Sequence, residues 1–547
     1  MFPVNTQPPL PGCTPWPAEV TQRYRDEGYW QGDLLTELPR RWAQRSGDTT
    51  ALVSGTDRIS YAELDRQVDT MAAGLLVLGI GARDRVVVQL PNTAEFVVLL
   101  FALLRCGAIP VLALPAHRRT EIEHLTALSE AVGYVIPDTS GGFDYRTLAQ
   151  QVQARVPSLR QVLVAGDPGS FTALADVPGL VDVPARPRPF PPADPADVAV
   201  LLISGGTTGK PKLIPRTHDD YAYNARASAQ VCGLGTDTVY LVCLPAAHNF
   251  PLACPGILGT FMAGGAVVMS PAPSADVAFA LIERERVTVT ALVPPLVRLW
   301  VEATEWDTCD RSSLRLLQVG GAKLAATLAG QVRPRLGCRL QQVFGMAEGL
   351  LNYTRLDDPD ELVTTTQGRP LSPADEVRIV DQADTDVVDG EIGELWTRGP
   401  YTVRGYYRVP EYNATAFTVD GFYRTGDLVR RLPSGHLVVE GRIKDVINRG
   451  GENVSAAELE EHLLTHPAVA QAAVIALPEQ TFGEVACAVI TASGPAPTLK
   501  ELTAFLADRG LARYKLPDKL VVLDQLPLTA VGKISKQELV ERLRDRS

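Results

Sequence analysis

The chain has 547 residues, more than one hydrophobic core accommodates, so at least two domains are expected. Hydrophobic residues at 46% and charged residues at 21% exclude a disordered chain, a collagen and a coiled-coil rod. Fifty-two Lys and Arg against 63 Asp and Glu leave a formal charge of −11, which gives no global attraction to nucleic acid or to an anionic membrane.

The N-terminal stretch MFPVNTQPPLPGCTPWP has no basic region followed by an apolar run. It does not read as a signal peptide, and a cytoplasmic protein is expected. Apolar residues at helical spacing predict a helix over 61–78, and an apolar helix follows over 95–105. Strands are expected at 85–90, closed by Pro91-Asn92, at 109–114 and at 287–292. The Pro-rich segment 181–195 reads as an internal linker. Residues 238–275 contain no Asp, Glu, Lys or Arg, yet five prolines and four glycines interrupt them. A membrane-spanning helix is excluded on that ground, and short buried strands and turns around an interior cavity are expected. The eight cysteines form no CxxC pair, which favours scattered reduced thiols over a zinc site or a disulfide framework. No internal repeat is visible, so a solenoid or propeller is excluded.

After about residue 440 the texture changes. The polar, glycine-bearing stretch GRIKDVINRGGEN (441–453) precedes helices expected at 456–465 and 499–509 and strands at 470–475 and 485–490. Alternating strands and helices indicate an α/β fold. A large N-terminal unit over 1–441, with subdomains, and a small α+β C-terminal unit over 442–547 are expected.

The sharpest local signal is LLISGGTTGKPK (201–212), a short apolar strand running into Ser204-Gly205-Gly206-Thr207-Thr208-Gly209-Lys210. Glycines let backbone N–H groups approach phosphate oxygens, and the hydroxyls and Lys210 add donors and charge. It is a phosphate-binding loop by composition. It is not a Walker A loop, which needs Gly where Ser204 stands and Ser or Thr where Pro211 stands, and GxGxxG is absent.

SGGTTGKPK resembles the signature loop of the adenylate-forming enzymes, the superfamily of acyl-CoA synthetases, firefly luciferase and nonribosomal adenylation domains. Further motifs resemble that superfamily in its own order along the chain: FGMAEG (344–349), GELWTRGPYTVRGYY (393–407), YRTGD (423–427), GRIKDVINRGGENV (441–454) and PLTAVGKISK (527–536). The resemblance implies a large adenylation domain and a small mobile C-terminal domain. It implies Lys533 as catalytic lysine, Glu348 as magnesium ligand, Asp427 on the ribose hydroxyls with Arg442 nearby, and Lys444 at a hinge. The loop 204–210 would hold the departing phosphates, and Gly320, Gly321, Ala322, Val343 and Phe344 would wall the adenine. The usual threonine before the glutamate is replaced by Ala347. This is similar to one branch, the stand-alone aryl acid–AMP ligases of siderophore and related pathways, as are HNFPLACPG (248–256) and QVGGAK (318–323).

The implied chemistry joins a carboxylate to the α-phosphorus of ATP and releases pyrophosphate, with Mg2+. The acyl group then passes to the phosphopantetheine thiol of a carrier protein, expected in trans because no carrier serine motif follows Lys533. Gly450-Gly451 would let the pantetheine approach, or would be only a turn. A carboxylate is already ionised at neutral pH, so positioning and electrostatics are what the residues must supply. His248 is assigned near the reacting groups, with a core histidine the alternative, and Cys254 is either a pocket residue or a structural thiol. The set Asn249, Phe250, Cys254, Gln318, Gly320, Val343, Leu351 and Asn352 resembles a salicylate-activating pattern. Relatives that take 2,3-dihydroxybenzoate carry Tyr, Ser and Val where this chain has Phe250, Cys254 and Leu351. A 3-hydroxyl facing Cys254 and Leu351 loses its partner, so salicylate is expected. The alternatives are 2,3-dihydroxybenzoate, anthranilate or 3-hydroxypicolinate, and free coenzyme A as acceptor. A nucleotide switch without acyl chemistry would leave Lys533 and the hinge motif unexplained, and a binding-only relative would not need Lys533, Glu348, Asp427 and Arg442 together.

Overall fold

The computed structural model describes residues 9–180, 190, 192–204, 210–449, 452–479, 483–509, 511–529 and 532–544. Most of the expected linker 181–195, the loop residues Gly205, Gly206, Thr207, Thr208 and Gly209, and Gly450-Gly451 lie outside these. Among the described residues the large sheets have nine, seven, four and five strands.

The nine-stranded sheet is parallel through its centre. Its core strands run in the order Arg339–Met346, Leu316–Gly320, Val289–Leu292, Val239–Val242, Ala266–Met269 and Thr50–Ser54. Gly349–Tyr353 and Asp57–Ser60 add antiparallel pairings outside these. The seven-stranded sheet holds Val198–Ile203 between Leu213–Thr217 and Ile109–Leu112, followed by Arg85–Val88, Gly133–Pro137 and Gln161–Ala165. Helices Tyr61–Val77, Ala94–Arg105, His218–Val231 and Gly256–Ala263 share one hydrophobic core with strands of both sheets. Ala94–Arg105 is buried at every position from Phe96 to Arg105, which matches its apolar sequence on all faces. His218–Val231 starts at a capping box, in which Thr217 and Asp220 satisfy each other's backbone donors.

Residues 238–275 correct the expectation of strands and turns alone. The segment runs strand Val239–Val242, helices Asn249–Ala253 and Gly256–Ala263, then strand Ala266–Met269. Pro251 sits in the first turn of one helix and Pro255 is the N-cap of the other, where a missing N–H costs nothing. The prolines that looked like breakers are starters.

Strand Leu437–Arg442 closes the antiparallel four-stranded sheet against Tyr423–Arg431, pairing Asp427 with Arg442. The short turn Ile443–Asp445 then leads into Val446–Arg449 of the five-stranded C-terminal sheet, whose long hairpin is Val469–Glu479 with Gly483–Ala492. Helix Ala456–Leu463 packs on that sheet, and Leu499–Asp508 joins its core through Leu502 and Leu506. Among the described residues no helix is long and apolar enough to cross a membrane.

Candidate active site

A cavity of about 830 Å³ opens where the C-terminal ends of parallel strands from both large sheets face each other. Leu114, Ser204, Leu244, Val293, Gly321 and Met346, each at or just past such a strand end, contribute to its wall. Open α/β sheets bind ligands at this edge because each strand there feeds a loop that is free of ladder pairing. The turn Ile443–Asp445, through Ile443 and Lys444, and the residues Thr529, Lys533, Ile534 and Ser535 close the cavity from the C-terminal side.

Lys533 is carried on a tight turn. Thr529 N–H donates to the Lys533 carbonyl at 2.6 Å, Gly532 N–H to the Thr529 carbonyl at 2.9 Å, and Lys533 N–H to Thr529 Oγ1 at 3.1 Å. Gly532 has φ +80°, which a side chain would strain. Across the cavity Gly321 leaves just enough room: a Cβ there would lie 3.1 Å from Lys533 Cε and 3.9 Å from Nζ. Burial, reinforced by Arg442, pulls the Lys533 ammonium down to about 8, with Asp427 and Glu348 pulling the other way.

Those two carboxylates form the acidic wall. Asp427 is buried and its Oδ1 accepts from Arg442 Nε at 2.7 Å. Burial raises its pKa and Arg442 opposes the rise. Glu348 sits in the turn between strands Arg339–Met346 and Gly349–Tyr353, not in a helix, and its Oε1 accepts from Tyr406 OH at 2.7 Å. Burial raises its pKa as well. Lys444 lines the cavity beside Arg442, and burial lowers its pKa.

At the base of the glycine-rich loop, Ser204 N–H donates to the Lys212 carbonyl at 2.9 Å and Lys212 N–H to Ser204 Oγ at 3.0 Å. These two bonds hold the loop's ends together. Lys210 is exposed, while Lys212 lines the cavity with its ammonium 3.9 Å from the Tyr412 ring centre.

The deep end is apolar. Phe250, Cys254, Gly320, Val343 and Leu351 line it, with Asn249 and His248 beside them. Asn249 Oδ1 accepts from Tyr221 OH at 2.9 Å, which fixes its amide so that Nδ2 faces Cys254 Sγ at 3.4 Å. His248 Nδ1 accepts from Phe250 N–H at 3.2 Å, so the ring proton belongs on Nε2. Burial, then Lys533, push its pKa down to about 3, and the ring is neutral. Burial pushes the Cys254 thiol up to about 12, so it is not a nucleophile. Leu351 N–H donates to Tyr401 OH at 3.1 Å, which donates to Asp375 Oδ2 at 2.6 Å.

That last chain has a measurable consequence. Burial raises the Asp375 carboxyl to about 7, above the usual range near 4. The folded state therefore holds the proton more tightly than the unfolded one. The stability this contributes is complete below about pH 4 and is lost as pH rises through about 7. Between pH 5 and 8 the wild-type Tm is expected to fall more steeply than that of Asp375→Asn; parallel slopes would show that Asp375 titrates normally.

Besides Lys210, four positions named from the sequence do not reach the cavity wall. Gln318 is fully buried one layer deeper, donating to Cys232 Sγ at 3.3 Å and Gln341 Oε1 at 3.1 Å, while the Phe250 ring covers Gly320 above it. Asn352 follows Leu351 on a strand, so its side chain takes the opposite face, where Nδ2 donates to the Phe344 carbonyl at 3.1 Å. Phe344 alternates with Val343 in the same way and packs on the separate cluster of Leu350, Ile379 and Leu395. Ala322 is exposed beside the cavity. Conversely, Lys212, Tyr406 and Tyr423 line the site without being candidates by sequence, although the motifs GKPK, GYY and YRTGD contain them.

The AMP-binding enzyme family matches residues 39–407, and the AMP-binding enzyme C-terminal domain matches 458–533. The chain belongs to the AMP-binding enzyme family. A 2,3-dihydroxybenzoate-AMP ligase of Bacillus subtilis is 53% identical over 537 residues, 98% of each chain. A salicyl-AMP ligase / salicyl-S-ArCP synthetase of Mycobacterium tuberculosis is 52% identical over 539 residues, 98% of this chain and 95% of that one. The apo structure of Mycobacterium smegmatis MbtA is similar with a TM-score of 0.76 at 54% identity, covering 97% of this chain and 99% of that chain. This family makes the chain an ATP-using, adenylate-forming ligase.

Proposed function

We propose that the protein is a salicylate–AMP ligase that passes the salicyl group to the phosphopantetheine thiol of a separate aryl carrier protein, in siderophore or related biosynthesis. The observation that carries the choice of acid is the deep end of the cavity. Its floor is Cys254 and Leu351, with no hydroxyl side chain among Asn249, Phe250, Cys254, Gly320, Val343 and Leu351. The one amide there, Asn249, has its oxygen committed to Tyr221 and offers Nδ2 as a donor. That suits an acceptor oxygen at the carboxylate or the ortho position. A second hydroxyl at position 3 would meet a thiol and an alkyl chain and lose its water without gaining a partner, which costs about 1–3 kcal/mol. The Bacillus subtilis relative keeps 2,3-dihydroxybenzoate as the second reading.

The residues divide the first half-reaction between them. A carboxylate oxygen bonds to the α-phosphorus while the bond from that phosphorus to the bridging oxygen of pyrophosphate breaks. Lys533 lies where its ammonium offsets the repulsion of the two anions. Neutral His248 presents Nε2–H as a donor without adding charge. Asp427, held by Arg442, accepts hydrogen bonds from the ribose hydroxyls. The loop 204–210 takes the β- and γ-phosphates, with Lys212 at its base. Glu348 fits a magnesium ion that keeps its waters and phosphate ligands. It is a buried carboxylate at the cavity wall, and among the described residues no cluster of three ligating side chains forms an all-protein cage. Bound there, Mg2+ would neutralise charge on the phosphates. We assign residues 442–547 as the unit that turns about Lys444 between the two half-reactions.

Acid-dependent ATP–pyrophosphate exchange over salicylate, 2,3-dihydroxybenzoate, benzoate, anthranilate and 3-hydroxypicolinate tests the reading. Salicylate is expected to lead 2,3-dihydroxybenzoate by about tenfold to a hundredfold in kcat/KM. A lead by 2,3-dihydroxybenzoate would overturn the choice of acid and keep the reaction class.

A further inference from the structure

Behind the cavity lies a charged group that none of the steps above uses. Arg216, on strand Leu213–Thr217 just after the phosphate loop, is fully buried. Its Nε donates to Asp220 Oδ1 at 2.6 Å and its Nη1 to the Ala347 carbonyl at 3.0 Å. The guanidinium lies 4.6 Å from the centre of the Tyr221 ring, and Nη2 is buried without a partner. Asp220 is committed too, with Oδ2 accepting from Thr217 N–H at 2.7 Å and Oγ1 at 2.8 Å.

A buried ion pair is weak evidence of stabilisation, because two desolvated charges are often replaced by apolar groups at little cost. What Arg216 touches gives it a better reason to be there. Ala347 immediately precedes Glu348 in the turn that walls the nucleotide side. Tyr221 holds the Asn249 amide on the acid side. One rigid, planar cation therefore buttresses the carboxylate that faces the phosphates and, through a tyrosine, the amide that faces the acid. Lysine reproduces the charge but not the fork that reaches Asp220 and Ala347 at once.

We propose that Arg216 is a positioning residue that sets the Ala347–Glu348 turn and, through Tyr221, Asn249 in register, so that the nucleotide and the acid meet in one geometry. The proposal rests on the ligase reading only for the acid used in the assay.

The test uses the full chain with Arg216→Lys, Arg216→Met/Asp220→Asn and Tyr221→Phe. ATP–Mg2+ affinity is measured by calorimetry without acid, the KM of the preferred acid by pyrophosphate exchange, and Tm as a check on folding. Arg216→Lys is expected to weaken ATP–Mg2+ binding and raise acid KM, each about tenfold, with Tm within a few degrees of wild type. The double variant is expected to behave likewise. Tyr221→Phe is expected to raise acid KM alone by a comparable factor and leave ATP affinity unchanged. Wild-type ATP affinity and acid KM in Arg216→Lys would overturn the proposal, as would losses that track Tm alone. If both Arg216 variants fail to fold, Tyr221→Phe decides, and an unchanged acid KM there overturns it. Wild-type silence with every acid would count against the ligase reading instead, and the ATP affinity of Arg216→Lys would still decide this one.

Discussion

Lys533→Ala is expected to lower adenylate formation by about a hundredfold to a thousandfold, the scale of removing one preorganised charge from a developing anion. The turn itself should survive, because its hydrogen bonds are made by the backbone and by Thr529 Oγ1. The loss should therefore appear in pyrophosphate exchange with little change in Tm. Thiol transfer from supplied salicyl-adenylate onto phosphopantetheine should be nearly untouched, because that step does not need an ammonium between a carboxylate and ATP. Wild-type adenylation in Lys533→Ala would remove the lysine from the first half-reaction, and equal loss in both would deny it a role specific to the first. A pH profile adds an independent check. Burial holds the free-enzyme lysine at about 8, so the ammonium fraction falls as pH rises through that value. The kcat/KM for adenylation, which reports the free enzyme, should decline above about pH 8. Bound anions favour the charged form, so kcat should hold to higher pH. A kcat/KM profile flat to pH 9.5 would contradict the assignment.

The sequence made some of this site readable and hid the rest for physical reasons. Lys533, Glu348, Asp427 and Arg442 stand in motifs with fixed neighbours, and the fold brings all four to one cavity from distant parts of the chain. The alternation of strands and helices was enough to expect an α/β body, and the change of texture near residue 440 coincides with the passage from the four-stranded to the five-stranded sheet. Depth was not readable. Gln318 and Gly320 share a strand face, yet only Gly320 reaches the wall, because the Phe250 ring arrives from another helix and ends the cavity there. Val343 and Phe344, or Leu351 and Asn352, are neighbours in a motif and opposites on a strand, so a contiguous run of residues overcounted the lining by every second position. Lys212 and Tyr406 stand inside recognisable motifs but do not stand out by spacing, since their importance comes from convergence with Glu348 and Tyr412. The helices around His248 were missed because proline at a helix start and proline inside a strand look alike in a single sequence.

Cys254→Ser combined with Leu351→Val is expected to move the preference from salicylate towards 2,3-dihydroxybenzoate by about tenfold to a hundredfold in relative kcat/KM. The sulfur lies 3.4 Å from both Asn249 Nδ2 and the Asn249 carbonyl, distances that suit a long, weak thiol contact. A serine hydroxyl is a stronger donor with a shorter reach, and it can turn from the carbonyl to a substrate hydroxyl. Leu351 governs the room for that hydroxyl. Its Cδ2 lies over Gly345, filling the space where any side chain there would bring a Cβ within 2.4 Å. Valine removes a methylene from that side. Cys254→Ser alone therefore supplies a partner without space, and Leu351→Val alone supplies space without a partner. The double variant should exceed the sum of the single changes, because both residues act on the same substituent. Recovering a satisfied buried hydroxyl is worth about 1–3 kcal/mol, which sets the expected range. An unchanged ratio in the double variant, with salicylate turnover retained, would mean that the floor of the cavity does not read position 3. Selection between the two acids would then have to lie with the other residues of the apolar end, Asn249 and Phe250 first among them.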